Sequence, residues 1–62
     1  MISKEDFHDY LEDIKALEKR MAGEYARLTT LVRDPALNKT FQILAADEST
    51  HAAMIEQLEE IA

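Results

Sequence analysis

Three side chains that can ligate a metal ion, Glu18, Glu48 and His51, stand where the helical pattern otherwise places apolar residues. Residues seven apart form three such columns: Leu11, Glu18, Tyr25, Val32; Leu37, Leu44, His51, Leu58; and Phe41, Glu48, Ile55, Ala62. Residues three, four or seven apart share one face of a helix. The pattern therefore predicts that all three side chains point into a seam between helices.

A carboxylate in such a seam is costly unless it is paired, protonated or bound to a metal. None of the three columns contains Lys or Arg. A metal ion is the simplest common partner, and carboxylates with imidazole suit Fe(II), Mn(II) or Zn(II). Met21 and Met54 are interpreted as apolar filler of the seam, since thioethers favour softer metals. A seam that tolerates polar residues, with His51 bonded to Glu48 or Thr50, stays open as an alternative.

Two helices are expected to position these residues. Ser3 is suited to the N-cap of the first helix, and Asp34 to the N-cap of the second, with Pro35 in the first helical position. The pattern predicts helix 1 over about 4–32, a turn over about 33–35 and helix 2 over about 35–61. The chain is then one all-α antiparallel hairpin, because so short a turn folds the second helix back on the first.

The register of this hairpin supports the site independently. Glu18 lies 16 residues before Asp34, and Glu48 and His51 lie 14 and 17 residues after it. At a rise of about 1.5 Å per residue, all three are roughly 21–26 Å from the turn. The three side chains are therefore expected at nearly the same height in the hairpin.

Two other features resemble parts of a site. Glu5 and His8 repeat the Glu-x-x-His spacing, but their columns contain the charged residues Glu12, Lys15 and Lys19. Charged helix faces are normally solvated, so this match is interpreted as chance. Glu24 shares a column with Tyr10, Leu17 and Leu31. We interpret Glu24 as an edge residue with a solvated carboxylate, and an extra ligand or an iron-entry residue remains the alternative.

Length and composition exclude some kinds of site and disfavour some kinds of partner for this protein. The chain has 62 residues, no Cys and a formal net charge of −6. Disulfides and thiolate metal sites are thereby excluded, and nucleic acid and anionic membranes are disfavoured as partners. The N-terminal sequence Met-Ile-Ser-Lys-Glu-Asp lacks the apolar core of a signal peptide, and no apolar run approaches the roughly 20 residues of a membrane span. A cytoplasmic location is therefore expected.

Small size also predicts self-association, because so short a chain usually needs a metal or a partner to stabilise its core. Two hairpins would form a four-helix bundle with two copies of Glu18, Glu48 and His51. This is one Glu from each of two helices and a Glu-x-x-His pair from each of the others, the ligand set of di-iron carboxylate bundles. Four carboxylates and two neutral imidazoles balance the charge of two divalent ions.

The same residues resemble a known family. Glu18-x6-Tyr25, Asp34-Pro35 and the segment from Phe41 to Ala52 resemble the first helical pair of the rubrerythrin branch of the ferritin-like superfamily. The resemblance covers roughly residues 14–58. The two-helix form is similar to the encapsulated ferritins, in which iron lies between two hairpin subunits. The second carboxylate motif of the four-helix ferritin-like subunits is absent from this sequence.

The resemblance implies a ferroxidase-like enzyme with two iron ions per homodimer or higher homo-oligomer. Glu18, Glu48 and His51 would be both metal ligands and catalytic residues, with Glu48 bridging the irons. Tyr25, beside the irons, would be a fourth catalytic residue that orients a ligand or a peroxide, and core packing alone is its alternative role. Mn or Zn is the alternative metal, and an encapsulin shell is a further implied partner. The competing hypothesis is a helical oligomerisation module without catalysis, either independent of metal or using metal as a structural staple.

Overall fold

The computed structural model describes residues 2–61 as two antiparallel helices, α1 (Lys4–Leu31) and α2 (Pro35–Ile61). The molecule is a rod with extents of 47 × 15 × 15 Å. These helices confirm the all-helical fold predicted from the sequence, and α1 ends one residue before the predicted bound. Ala62, which ends one of the predicted columns, lies outside the described residues.

Both helices begin at the predicted caps. Ser3 Oγ accepts a hydrogen bond from the backbone N–H of Asp6 at 3.0 Å. Asp34 Oδ1 accepts one from the N–H of Leu37 at 2.9 Å. Each bond satisfies an N–H that has no partner within its own helix, and so each marks where its helix begins.

The turn is held by a residue that the sequence analysis did not single out. Asn38, in the first turn of α2, donates hydrogen bonds from Nδ2 to the carbonyl oxygens of Thr29 at 2.5 Å and Val32 at 3.0 Å. Those carbonyls belong to the end of α1, where the helix has no further N–H to offer. Asn38 therefore ties the end of α1 to the beginning of α2.

The seam between the helices follows alternating steps of three and four residues. Its α1 members are Phe7, Leu11, Ile14, Glu18, Met21, Tyr25, Leu28 and Val32, and its α2 members are Asn38, Phe41, Ala45, Glu48, Ala52, Ile55 and Glu59. Among the described residues only Leu11, Ala52 and Ile55 are classed as buried. Two helices thus enclose a thin core, as expected for a chain of this size.

One side of the hairpin carries an open apolar face. It consists of one column from each helix, apolar except for Glu24 and His51: Tyr10, Leu17, Glu24 and Leu31 of α1, and Leu37, Leu44, His51 and Leu58 of α2. Residues in such equivalent positions flank an antiparallel seam on the same side. The large apolar members are 47–62% exposed, apart from the half-buried Leu44. The prediction that the column of Leu37, His51 and Leu58 points into the seam is wrong for a single hairpin, since each helix covers only part of its partner's apolar surface.

Neither helix is long and apolar enough to cross a membrane within residues 2–61.

Candidate metal centre

The hairpin brings Glu18, Glu48 and His51 together across its seam, and we call them the carboxylate–histidine cluster. His51 Nδ1 lies 3.3 Å from Glu18 Oε2 and 3.9 Å from Glu48 Oε1. One ligand atom from each residue lies within 4.8 Å of the other two. Glu18 comes from the middle of α1, while Glu48 and His51 are neighbours one turn apart on α2. Three donors therefore converge on a space of the size that one metal ion occupies.

The carboxylates and the imidazole differ in burial. The side chains of Glu18 and Glu48 are 19% and 14% exposed, whereas that of His51 is 54% exposed. The carboxylates occupy seam positions, and His51 flanks the seam on the open apolar face. The two carboxylates of the cluster are thus largely covered, whereas His51 is exposed on the side where no further helix covers the hairpin.

Glu48 is the electrostatically unsatisfied member of the cluster. Its Oε2 atom is buried and has no hydrogen-bond partner. The adjacent Glu18 side chain, which favours the protonated form of Glu48, raises the pKa of Glu48, and so does burial. The charge of His51 acts in the opposite direction. Among the described residues, no Lys or Arg forms an ion pair with Glu18 or Glu48. The negative charges of the two carboxylates are therefore not balanced by a basic side chain, and a bound cation would relieve their repulsion.

Two further residues considered from the sequence lie outside the cluster. Tyr25 is half-buried in the seam, where its ring stacks on Phe41 with 6.2 Å between centroids. It lies one heptad from Glu18, or roughly 10 Å along the helix. Glu24 forms an exposed ion pair with Arg27 at 3.1 Å, which agrees with its interpretation as an edge residue.

Of the two methionines interpreted as filler, Met21 is half-buried in the seam. Met54 is 55% exposed, so its assignment to the seam is wrong. The reason is its position in the helix, since Met54 lies next to the seam residue Ile55 and points to a different side.

A second cluster, which we call the lysine cluster, consists of His8, Glu12, Lys15 and Glu59. Lys15 Nζ lies 2.8 Å from Glu59 Oε1 and 3.0 Å from Glu12 Oε1. His8 Nε2 lies 3.3 Å from Glu59 Oε2. The prediction that His8 is simply solvated is therefore incomplete, because its half-exposed ring contacts a glutamate of α2.

Glu59 is a covered residue of the lysine cluster that the sequence analysis did not single out. It lies seven residues after Ala52 in a seam column, and its side chain is only 10% exposed. Lys15 lies four residues after the buried Leu11, with a side chain that is 18% exposed. The periodicity that identified Glu18 and Glu48 also identifies Glu59, whereas Lys15 flanks the seam, and only the packing of the helices shows that it is covered.

The lysine cluster supplies its own cation. A hydrogen bond with Glu59 and the ammonium of Lys15 lower the pKa of Glu12, and the two carboxylates raise the pKa of Lys15. The pKa of Glu48 moves in the opposite direction from that of Glu12. One hairpin therefore holds two histidine and glutamate clusters, of which one contains an ammonium group and the other does not.

Comparison with known proteins does not assign this chain to a family: no family model matches it, and neither do any curated proteins or solved structures.

Proposed function

We propose that this protein binds divalent metal, with iron as the preferred ion, at the carboxylate–histidine cluster. The observation that carries the proposal is the buried Oε2 of Glu48, which lacks a hydrogen-bond partner beside a second carboxylate. A metal ion would give this oxygen a partner and remove the repulsion between Glu18 and Glu48. The lysine cluster provides an internal comparison. Its buried Glu59 Oε1 likewise has no hydrogen bond of good geometry, but it lies 2.8 Å from the ammonium of Lys15, a cation that Glu48 lacks.

The donor set fits such an ion. Two carboxylates and one neutral imidazole carry a charge of −2, equal and opposite to that of one divalent ion per hairpin. Oxygen ligands with one imidazole nitrogen suit Fe(II), Mn(II) and Zn(II). Of the His51 ring nitrogens, Nδ1 is the one placed within 4 Å of both carboxylates. Nδ1 must be unprotonated to bind metal, and so the site would load better at neutral than at acid pH.

We further propose that two hairpins pair through the open apolar face to form a ferritin-like four-helix bundle. Contiguous exposed apolar surface on a small protein marks a contact site. His51 lies within this face, so a second copy would cover the cluster and bring its own Glu18, Glu48 and His51 close by. The bundle would then hold two metal ions between its subunits, with protein oxygens replacing water around them.

The reaction that this arrangement favours is oxidation of Fe(II) by dioxygen, with Fe(II) as the substrate. Four Fe(II) and four protons reduce one O₂ to two H₂O and give four Fe(III). Glu18 and Glu48 favour the ferric product because hard, negatively charged oxygen ligands stabilise the higher charge. Tyr25 lies one heptad from Glu18 in the seam, beyond Met21, where it would help to exclude water from the turn side of the site.

A second candidate function is a helical oligomerisation module, either independent of metal or stapled by it. The open apolar face favours this candidate, because burying that face would stabilise an oligomer whether or not metal is bound. A module that is independent of metal leaves the buried oxygen of Glu48 without a role. A metal-stapled module and the ferroxidase-like site would both use that oxygen, and they differ only in whether Fe(II) is oxidised.

The deciding experiment combines metal content with turnover. Protein purified without chelator is analysed for bound metal, and the metal-free protein is then mixed with Fe(II) in an oxygen electrode. The metal-site proposal predicts one iron per hairpin and oxygen consumption near one O₂ per four Fe(II) oxidised. Bound metal without oxygen consumption would indicate a structural staple, and failure to bind any divalent metal would refute the site.

A further inference from the structure

We propose that Lys15 determines which cluster of the hairpin binds metal, by acting as a built-in cation that excludes metal from the lysine cluster. The blocking role follows from the geometry of the lysine cluster itself. The consequence for selection, that metal is directed to the carboxylate–histidine cluster, rests on the function proposed above. Lys15 is then a specificity-determining residue that touches neither Glu18, Glu48 nor His51 in the contacts described.

The two clusters are alike in their metal-binding groups. Each combines one His and two Glu across the seam, and in each the three ligand atoms lie within 4.8 Å of one another. Each also places one of its carboxylates deep in the seam, with Glu48 14% and Glu59 10% exposed. By donor type and spacing alone, the lysine cluster has what is needed to bind a metal ion.

Two features separate the clusters. The Glu12 side chain is 46% exposed, whereas that of Glu18 is 19% exposed, and the lysine cluster contains Lys15. The Lys15 ammonium lies within 3.0 Å of one oxygen of Glu12 and one oxygen of Glu59, the carboxylates that a metal would use. A charged ammonium has no lone pair to offer, and it repels a divalent ion placed in the same space. The two carboxylates raise the pKa of Lys15, so the group stays charged at neutral pH.

Burial makes this block persistent. The Lys15 side chain is 18% exposed, whereas Lys19, which pairs with Glu56 at 3.3 Å, is 60% exposed. Lysine stems pack along apolar surface while the charged end reaches a partner. To admit a metal ion, Lys15 would have to leave both carboxylates and its largely covered position beside the seam. Lys19 can swing into solvent without such losses, and it provides a matched control for the charge.

The test uses the full chain carrying Glu48→Gln, which disables the proposed metal site and leaves the lysine cluster intact. Zn(II) binding is measured by titration calorimetry at pH 7, with helicity followed by circular dichroism. We expect no binding to Glu48→Gln alone and one Zn(II) per hairpin after Lys15→Met is added. Met approximates the length of Lys without its charge. Adding His8→Ala to this double variant should remove the new site.

Two controls separate a specific block from a general charge effect. Lys15→Arg retains the cation and should keep the cluster closed. Lys19→Met removes the same charge from the same helix and should create no site. If Lys15→Met lowers helicity, Lys15→Gln replaces it, since Gln is uncharged and can still hydrogen-bond to Glu59.

Absence of Zn(II) binding to the folded Lys15 variant would overturn the proposal, as would a new site that survives His8→Ala or appears equally with Lys19→Met. These outcomes are distinct from failure of the proposed function. The wild-type chain reports on the carboxylate–histidine cluster, and the Glu48→Gln background reports on Lys15.

Discussion

His51 and Glu18, separated by 33 positions in the chain, meet across the hairpin with 3.3 Å between Nδ1 and Oε2. The contact joins the open apolar face to the seam, because His51 flanks the seam and Glu18 lies within it. Glu48 is the third member of this cluster, and its buried Oε2 atom has no hydrogen-bond partner. A substitution at Glu48 should therefore change the stability of the metal-free protein and its metal binding in opposite directions.

Glu48→Gln should abolish metal binding and raise the melting temperature of the metal-free protein at pH 7. The raised pKa of Glu48 means that the folded state retains a proton longer than the unfolded state does. Stability therefore falls as pH rises from the ordinary Glu pKa through the raised one. Gln stays neutral and removes this loss. Thermal melts and Zn(II) titration of the two proteins test both effects.

The matched control is Glu5→Gln, which neutralises an exposed carboxylate of the other Glu-x-x-His sequence. Metal binding should be unchanged there. Wild-type metal stoichiometry in Glu48→Gln would show that Glu48 is not a ligand.

Metal should stabilise the wild-type protein more at pH 7 than at pH 5. A ligand that binds only the folded state raises the apparent stability, and protons compete with metal for carboxylates and imidazole. Melting curves with and without Zn(II), or with Fe(II) under anaerobic conditions, give the shift at each pH. A melting temperature indifferent to excess metal at pH 7 would count against the site and favour the oligomerisation module.

Leu17→Glu should dissociate the proposed bundle into single hairpins. Leu17 is 53% exposed on the open apolar face, where pairing of two copies would bury the introduced charge without a partner. Sedimentation or light scattering across micromolar concentrations measures the oligomeric state. Ile43→Glu is the control, since Ile43 is similarly exposed, at 51%, on the side of α2 that faces away from α1. Equal dissociation by both variants would show that assembly does not use the open apolar face.

Gly23→Ala should stabilise the hairpin by about 0.5–1 kcal/mol, the cost of Gly in a helix interior relative to Ala. Gly23 is inside α1, and a Cβ built there meets nothing within 4 Å. Chemical denaturation measures the free energy of unfolding. Metal binding should not change, because the position is remote from the carboxylate–histidine cluster in the helical pattern. Destabilisation by this substitution would indicate that an assembly contact needs the missing side chain.

The sequence by itself determined the two helices and their bounds. Helix formation depends on local signals, and here these were complete: Ser3 and Asp34 as caps, Pro35 in the first turn of α2, and an apolar period that stops between the helices. The alignment of Glu18 with Glu48 and His51 also followed from the sequence, since a short turn and a constant rise per residue leave little freedom in register.

Only the tertiary structure decided which apolar columns are covered and which charges meet. The helical period places Leu17 and Glu18 in neighbouring columns of α1. Only the packing of α2 shows that Leu17 is exposed and Glu18 is covered. The ion pair of Lys15 with Glu59 likewise joins residues from opposite ends of the chain. Helical periodicity is a property of one segment, whereas burial and charge pairing depend on the distance and rotation between two segments.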